Sequence, residues 1–244
     1  MPTLLITGSN RGLGFEFARQ YAADQWQVIA CCRSPEKAHE LQALAKANPA
    51  LKIEPLDLAD DQSIDSLAAR LKGTAIDLLV NCAGIFSGTG LDGHHFLENG
   101  PDITQAFGSL DSAAWAKVLR INTIAPIMVS QALKNNLFQG KGRTLIMISS
   151  RMGSIERIYR AGDIAYRTSK AALNAAVKSI SYSLHDAKIT VACFHPGWVQ
   201  TDMGSKSAEL TPEQSVSSIR RVISTLKLEN SGQFLNYDGQ PIPW

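Results

Sequence analysis

Two short runs of residues carry most of the chemistry in this 244-residue chain. Tyr166-Arg-Thr-Ser-Lys170 sets a phenol and an ammonium four positions apart, a spacing that puts both on one face of a helix. Thr7-Gly-Ser-Asn-Arg-Gly-Leu-Gly14 is a glycine-rich turn between an apolar strand and a helix, where backbone N–H groups can receive a pyrophosphate. Together they point to nicotinamide-dependent carbonyl chemistry with tyrosine as the acid. A free tyrosine titrates near pH 10 (about 10), so it needs help to work at neutrality. Lys170, with the positive ring of an oxidised cofactor, is expected to lower that value and to hold the nicotinamide ribose.

Gly8, Gly12 and Gly14 follow a G-x-x-x-G-x-G spacing, with Asn10, Arg11 and Leu13 completing the loop. Glycine lets backbone approach a phosphate that a Cβ would block. An NAD site commonly sets a carboxylate at the end of the second strand, roughly 20 residues past the glycines. Here that strand ends Cys31-Cys32-Arg33, with no acid from Val28 to Arg33. A guanidinium suits a 2′-phosphate, and Arg11 is a second cation nearby. The cofactor expected is NADP(H) in preference to NAD(H). Asp57 and Leu58 end the third strand, where a carboxylate can accept from an adenine amino group. Asn81-Cys-Ala83-Gly84 ends the fourth, its small residues leaving room for a ring or ribose.

These sites need a frame, and the apolar pattern supplies one. Strands are expected at 3–7, 27–32, 51–56, 76–81, 143–149, 190–195 and 233–236, and helices at 12–23, 35–46, 61–71, 112–135, 164–185 and 211–226. Alternating strands and helices give a parallel sheet covered on both faces. The expected fold is a single Rossmann-type, doubly wound α/β domain over 1–244, with a seven-stranded parallel sheet. Ser34 before Pro35 and Thr211 before Pro212 read as helix N-caps. Long connections at 85–110, 151–163 and 202–210 follow strand C-terminal ends, the side where such sheets bind ligands. The first carries Gly88, Gly90, Gly93 and Gly100.

Composition narrows the class. Apolar residues make up 45% and the formal net charge is +2, which favours neither disorder nor nucleic-acid binding. No apolar run reaches the roughly 20 residues of a spanning helix, and strand residues Leu4–Ile6 follow the start too closely for a signal peptide. The four cysteines, Cys31, Cys32, Cys82 and Cys193, lack metal-ligand spacing and read as buried thiols of the cytoplasm. No metal site is expected: His94-His95 has no third ligand nearby, and His195, before Pro196, reads as a packing residue.

Further residues complete a reaction centre. A hydroxyl at Ser149-Ser150 can donate to a substrate oxygen as charge develops; Ser150 is the better fit because Arg-Met-Gly153 follows as a serine-x-x-glycine turn. Asn122 is out of place on an apolar helical face, either as a water holder relaying protons to Lys170 or as a polar residue at a bend made by Pro126. Phe86, Phe96, Met152, Tyr159, Trp198 and Met203 are expected near the pocket mouth, where they suit an apolar or aromatic carbonyl substrate.

In this order the motifs resemble the short-chain dehydrogenases/reductases (SDR) over essentially the whole chain: Thr7–Gly14, Asp57, Asn81–Gly84, Asn122, Ser150, Tyr166–Lys170 and Pro196-Gly197 through Thr201. The resemblance implies Tyr166 as acid/base, Lys170 as its partner and ribose anchor, Ser150 as oxyanion donor and Asn122 as water holder. It also implies contacts to the nicotinamide from Pro196, Gly197, Val199 and Thr201. Cys32-Arg33-Ser-Pro-Glu-Lys, Ala165-Tyr-Arg-Thr-Ser-Lys-Ala-Ala-Leu-Asn174 and His195-Pro-Gly-Trp-Val-Gln-Thr-Asp-Met203 are similar to the C-factor/Sniffer branch, whose members are regarded as NADPH-dependent carbonyl reductases or as signalling proteins. Ser150 and Tyr166 lie sixteen apart, farther than the family pattern, so the loop between them must bulge. Similar proteins pair their long helices across a two-fold axis, implying a homodimer or homotetramer. Three functions follow: reduction of small ketones or aldehydes to alcohols, a dinucleotide-binding regulatory protein, and reduction of thioester-bound ketoacyl groups. The last expects a basic patch for an acyl carrier, and none stands out.

Overall fold

A computed structural model describes residues 1–87 and 105–244. Gly88, Gly90, Gly93, His94, His95, Phe96 and Gly100 lie outside the described residues. The chain alternates strands β1 (Thr3–Thr7), β2 (Gln27–Cys32), β3 (Leu51–Pro55), β4 (Leu78–Asn81), β5 (Thr144–Ile148), β6 (Thr190–His195) and β7 (Gln233–Asn236) with helices. These are α1 (Gly12–Ala23), α2 (His39–Ala47), α3 (Asp61–Arg70), α4 (Ser112–Leu119), α5 (Ala125–Ala132), α6 (Lys134–Gln139), α7 (Ile164–Ser183) and α8 (Pro212–Ile223). The described strands form one seven-stranded sheet in the order β3-β2-β1-β4-β5-β6-β7. Every pairing within it is parallel.

Strand side chains alternate between faces, and the sheet uses both. Leu5, Ile29, Leu79, Leu145 and Val191 pack under α3, α5 and α7. Leu4, Ile6, Val28, Ile146 and Phe194 pack under α1, α2 and α8. Each such fully buried side chain contributes about 1.5–3 kcal/mol. The frame is therefore held by apolar burial, independently of the polar groups at its C-terminal edge.

The two outer strands end differently. β3 ends in Pro55, which has no N–H to extend a ladder. Beyond β7 the chain returns antiparallel, with Leu235 bridged to Pro241 and the Ile242 N–H donating to the Phe234 carbonyl at 2.8 Å.

Several elements differ from expectation, among them β4, which starts at Leu78 and not at 76, and α8, which ends at Ile223 and not at 226. The helix expected at 35–46 is a single 3-10 turn, Pro35–Lys37, followed by α2, and the Ser34 side chain makes no cap bond. The helix expected at 112–135 is α4, a π-helical stretch Arg120–Ile124, then α5. Pro126 sits at the start of α5 and has no N–H to give the preceding turn, while the Ala125 N–H reaches back to Arg120. β5 starts one residue later than expected because Arg143 adopts φ +43°, a left-handed conformation incompatible with a strand. Thr211 caps α8 as expected and forms a full capping box with Gln214.

Candidate active site

The glycine loop is fixed by close approach. At Gly8 (φ +75°) a Cβ would stand 2.8 Å from Ala83 Cα, and at Gly14 one would stand 2.2 Å from the Gly8 carbonyl oxygen. Thr7 Oγ1 accepts from the N–H groups of Cys82 and Ala83 at 3.1 and 3.2 Å, joining the ends of β1 and β4. Beyond the loop, α1 begins with neither a side-chain cap nor an acidic residue in its first turn, leaving its N-terminal field uncompensated for an anion.

The loop forms one wall of an open cleft of about 990 Å³ along the C-terminal edge of the sheet. Gly8, Asn10, Arg11, Gly12, Leu13 and Gly14 line it, as do Arg33, Asp57, Leu58, Ala83, Gly84, Tyr166, Lys170, Pro196 and Thr201. This size and shape fit an extended dinucleotide, with the glycine loop and α1 amides to take its phosphates. Three expected cofactor contacts do not line the cleft, and a fourth, Arg11, lines it while paired across it. The Asn81 amide donates to Ser130 Oγ at 3.0 Å, bracing β4 to α5. Val199 is buried and bridged to Leu210. Gly197 (φ +84°) turns the chain under Leu210 and Tyr237. Arg11 lines the cleft, yet its guanidinium is paired with Asp202 at 2.9 Å and so is shared with the opposite wall.

Cys32, Ser34 and Lys37 also line the cleft beside Arg33. The 3-10 turn brings Lys37 to this rim, an effect the helical pattern conceals. Glu40 lines the same rim, where the two cations outnumber it.

At the other end, α7 presents Tyr166 in its first turn and Lys170 one turn on. The Tyr166 ring packs on Phe86 with centroids 4.8 Å apart, and the Ser150 side chain is near enough to its hydroxyl to favour the ionised form. Burial pushes the Tyr166 pKa up to about 12, with Ser150 pulling against the rise. Lys170 Nζ lies 5.8 Å from the Tyr166 ring centroid and donates to the Ile148 carbonyl at 2.9 Å. Burial lowers Lys170 to about 8. Lys170 is not among the groups that shift Tyr166, its ammonium being directed at a strand carbonyl.

Ser150 caps the 3-10 turn Arg151–Gly153, its Oγ accepting from the Met152 N–H at 3.1 Å. Ser149 instead gives its hydroxyl to Asn174 Oδ1 at 2.6 Å. That turn lies directly on α7: a Cβ at Gly153 would stand 2.8 Å from the Lys170 backbone carbon. Asn122 is buried within the π-helical stretch. Its Oδ1 accepts from the Ile85 N–H at 2.8 Å, and its amide donates to the Ile85 carbonyl at 2.8 Å and to Ser169 Oγ at 3.0 Å. With both N–H donors and one lone pair of the oxygen engaged, the side chain braces β4's exit against α7.

Of the apolar residues expected at the mouth, Phe86 and Met203 line the cleft, while Met152, Tyr159 and Trp198 do not; Tyr159 is 85% exposed. His195 is partly exposed as a residue, but its Nδ1 is sealed off without a partner. Burial, with Arg151 and Arg157 adding to it, lowers its pKa to about 3. The four cysteines are free thiols. Among the described residues, no group of His, Cys, Asp or Glu is placed to hold a metal, and no helix is long and apolar enough to cross a membrane.

A glycine loop under a helix terminus, a cleft across a parallel sheet and a buried Tyr/Lys/Ser group at its end define a dinucleotide-dependent oxidoreductase. The model of the short chain dehydrogenase family matches residues 2–211, and the chain belongs to that family. The C-signal protein of Myxococcus xanthus is 40% identical over 169 residues, covering 69% of this chain and 93% of that protein. Among solved structures, carbonyl reductase Sniffer of D. melanogaster matches with a TM-score of 0.87 and 36% identity over 100% of both chains. The NADPH-bound carbonyl reductase from chicken fatty liver gives 0.88 and 34%, covering 100% of this chain and 99% of that one.

Proposed function

We propose that this protein is an NADPH-dependent reductase of ketones or aldehydes, with Tyr166 as the proton donor. The observation that carries this reading is Tyr166, which lines the dinucleotide cleft with Lys170 one helical turn on and the Ser150 side chain beside its hydroxyl. When bound, the nicotinamide supplies the hydride to the carbonyl carbon. The chain's own part is to hold a protonated phenol and a serine hydroxyl at the carbonyl oxygen. Ser150 steadies that oxygen as charge builds, and Tyr166 delivers its proton. Lys170 lies in the same wall to anchor the ribose.

Preference for NADP(H) rests on Arg33 with Lys37 beside it, and the chicken liver protein, similar over its whole length, is itself described with NADPH bound. The free thiols fit a reducing cytoplasm. Association into a homodimer or homotetramer rests on resemblance and is read directly by the mass in solution.

Tyr166→Phe removes the donated proton and leaves the ring. Carbonyl reduction should fall by about 100-fold or more, while NADPH titration by fluorescence stays within about twofold. Reduction at the wild-type rate would remove Tyr166 from its role. Similarity to the M. xanthus C-signal supports a second reading, a dinucleotide-binding regulatory protein. That reading expects Tyr166→Phe to keep its biological effect with the chemistry lost.

A further inference from the structure

The first turn of α7 carries Tyr166 but lacks a local cap. Asp163 occupies the N-cap position in a left-handed conformation (φ +56°) and makes no side-chain cap bond. Its carboxylate is 1% exposed, held by Arg160 at 2.8 Å and facing Arg167 at 4.0 Å. The opening N–H groups of a helix have no partner within it, and here the usual acceptor is engaged elsewhere.

The Tyr166 N–H is instead taken by Gln105 Oε1 at 2.9 Å, from a residue 61 positions away. Gln105 is 3% exposed, and its Nε2 donates to the Phe86 carbonyl at 3.1 Å. Phe86 then returns to Tyr166 through the ring contact. Backbone, amide and ring form a closed circuit: Tyr166 N–H, Gln105, Phe86 carbonyl, Phe86 ring, Tyr166 ring.

We infer that Gln105 is a positioning residue that serves as the missing N-cap of α7 and fixes the Tyr166 ring between Phe86 and Ser150. The inference rests on Tyr166 being the proton donor for its kinetic consequence, but not for its structural one. A side chain delivered from the connection before α4 thus holds the acid in place, and does so by both ends of its amide. Removing the acceptor releases the first turn, so the hydroxyl samples orientations away from Ser150 and from the carbonyl oxygen.

The test uses the full chain with NADPH. Gln105→Met and Gln105→Ala should lower kcat by about tenfold or more with KM for the carbonyl and NADPH affinity changed by less than about threefold. Amide hydrogen exchange in a peptide spanning residues 164–168 should quicken by about tenfold or more in both variants. Gln105→Glu, which keeps an acceptor, should recover most of the protection and of kcat. Unchanged exchange in Gln105→Met overturns the inference whatever the rates do. Wild-type kcat in that variant also overturns it if Tyr166→Phe is inactive. If Tyr166→Phe is fully active, the acid assignment falls and exchange alone decides the role of Gln105. Should neither the methionine nor the alanine variant fold, Gln105→Glu decides: exchange as fast as in an unstructured peptide overturns the proposal.

Discussion

Tyr166 holds its proton more tightly in the folded chain than in water, since burial outweighs the pull of Ser150. In the proposed reduction, a phenol so placed donates only when a developing alkoxide draws the proton across. The proposed preference for NADP(H) rests on a different residue, Arg33. Arg33→Asp replaces the cation at the cleft rim with a carboxylate suited to ribose hydroxyls. NADPH should bind the unaltered protein at least about tenfold more tightly than NADH, and the variant should reverse that order in fluorescence titrations. An unchanged order would remove Arg33 from its role. Tyr166, Lys170 and the three loop glycines were readable because their spacing is local. Asn122 was legible as an anomaly but not as a brace, because its partners Ile85 and Ser169 are distant in sequence. The Arg11–Asp202 pair joins opposite walls of the cleft, and pattern along the chain cannot show it.

At the scale of elements, the turn Arg151–Gly153 sets the reach between Ser150 and Tyr166. The long gap between these residues was visible in sequence, and so was the glycine. What could not be read is that the turn is laid flat on the Lys170 backbone. Gly153→Ala should push it off by the bulk of one methyl, since the clash is with backbone and not a flexible side chain. A displacement near 1 Å lowers kcat by about 100-fold, while NADPH binding changes little. Rates within about twofold of wild type would show that the turn yields without moving Ser150. The strands were legible almost to the residue, because near-continuous apolar runs bounded by polar ones admit few alternatives. The helices 35–46 and 112–135 were not, since the apolar period continues through a 3-10 turn and a π stretch. Pro126 was the one local sign of the second.

Across the whole molecule, the two apolar layers fix the sheet and leave ionisable groups to set the acid limit. His195 has its pKa lowered from 6.5 to about 3 by burial, with Arg151 and Arg157 adding to it. Between those values the unfolded chain binds a proton that the folded chain refuses. Stability from this residue is therefore complete above pH 6.5 and is lost as pH falls towards 3. One unit corresponds to about 1.4 kcal/mol, so the loss by pH 5 is about 2 kcal/mol. His195→Gln, compared with wild type by urea unfolding at pH 7 and pH 5, should flatten the decline. An equal decline in both proteins would place the acid sensitivity elsewhere.

The proline at the close of β3 removes one donor from that edge, and the antiparallel return covers much of the edge of β7. Strand-by-strand growth with a neighbouring molecule is thereby hindered at the β7 rim, and at the β3 rim it loses one donor. A neighbouring chain that approaches the β7 rim meets this chain's own returning segment, so growth of the sheet from that side is disfavoured by construction.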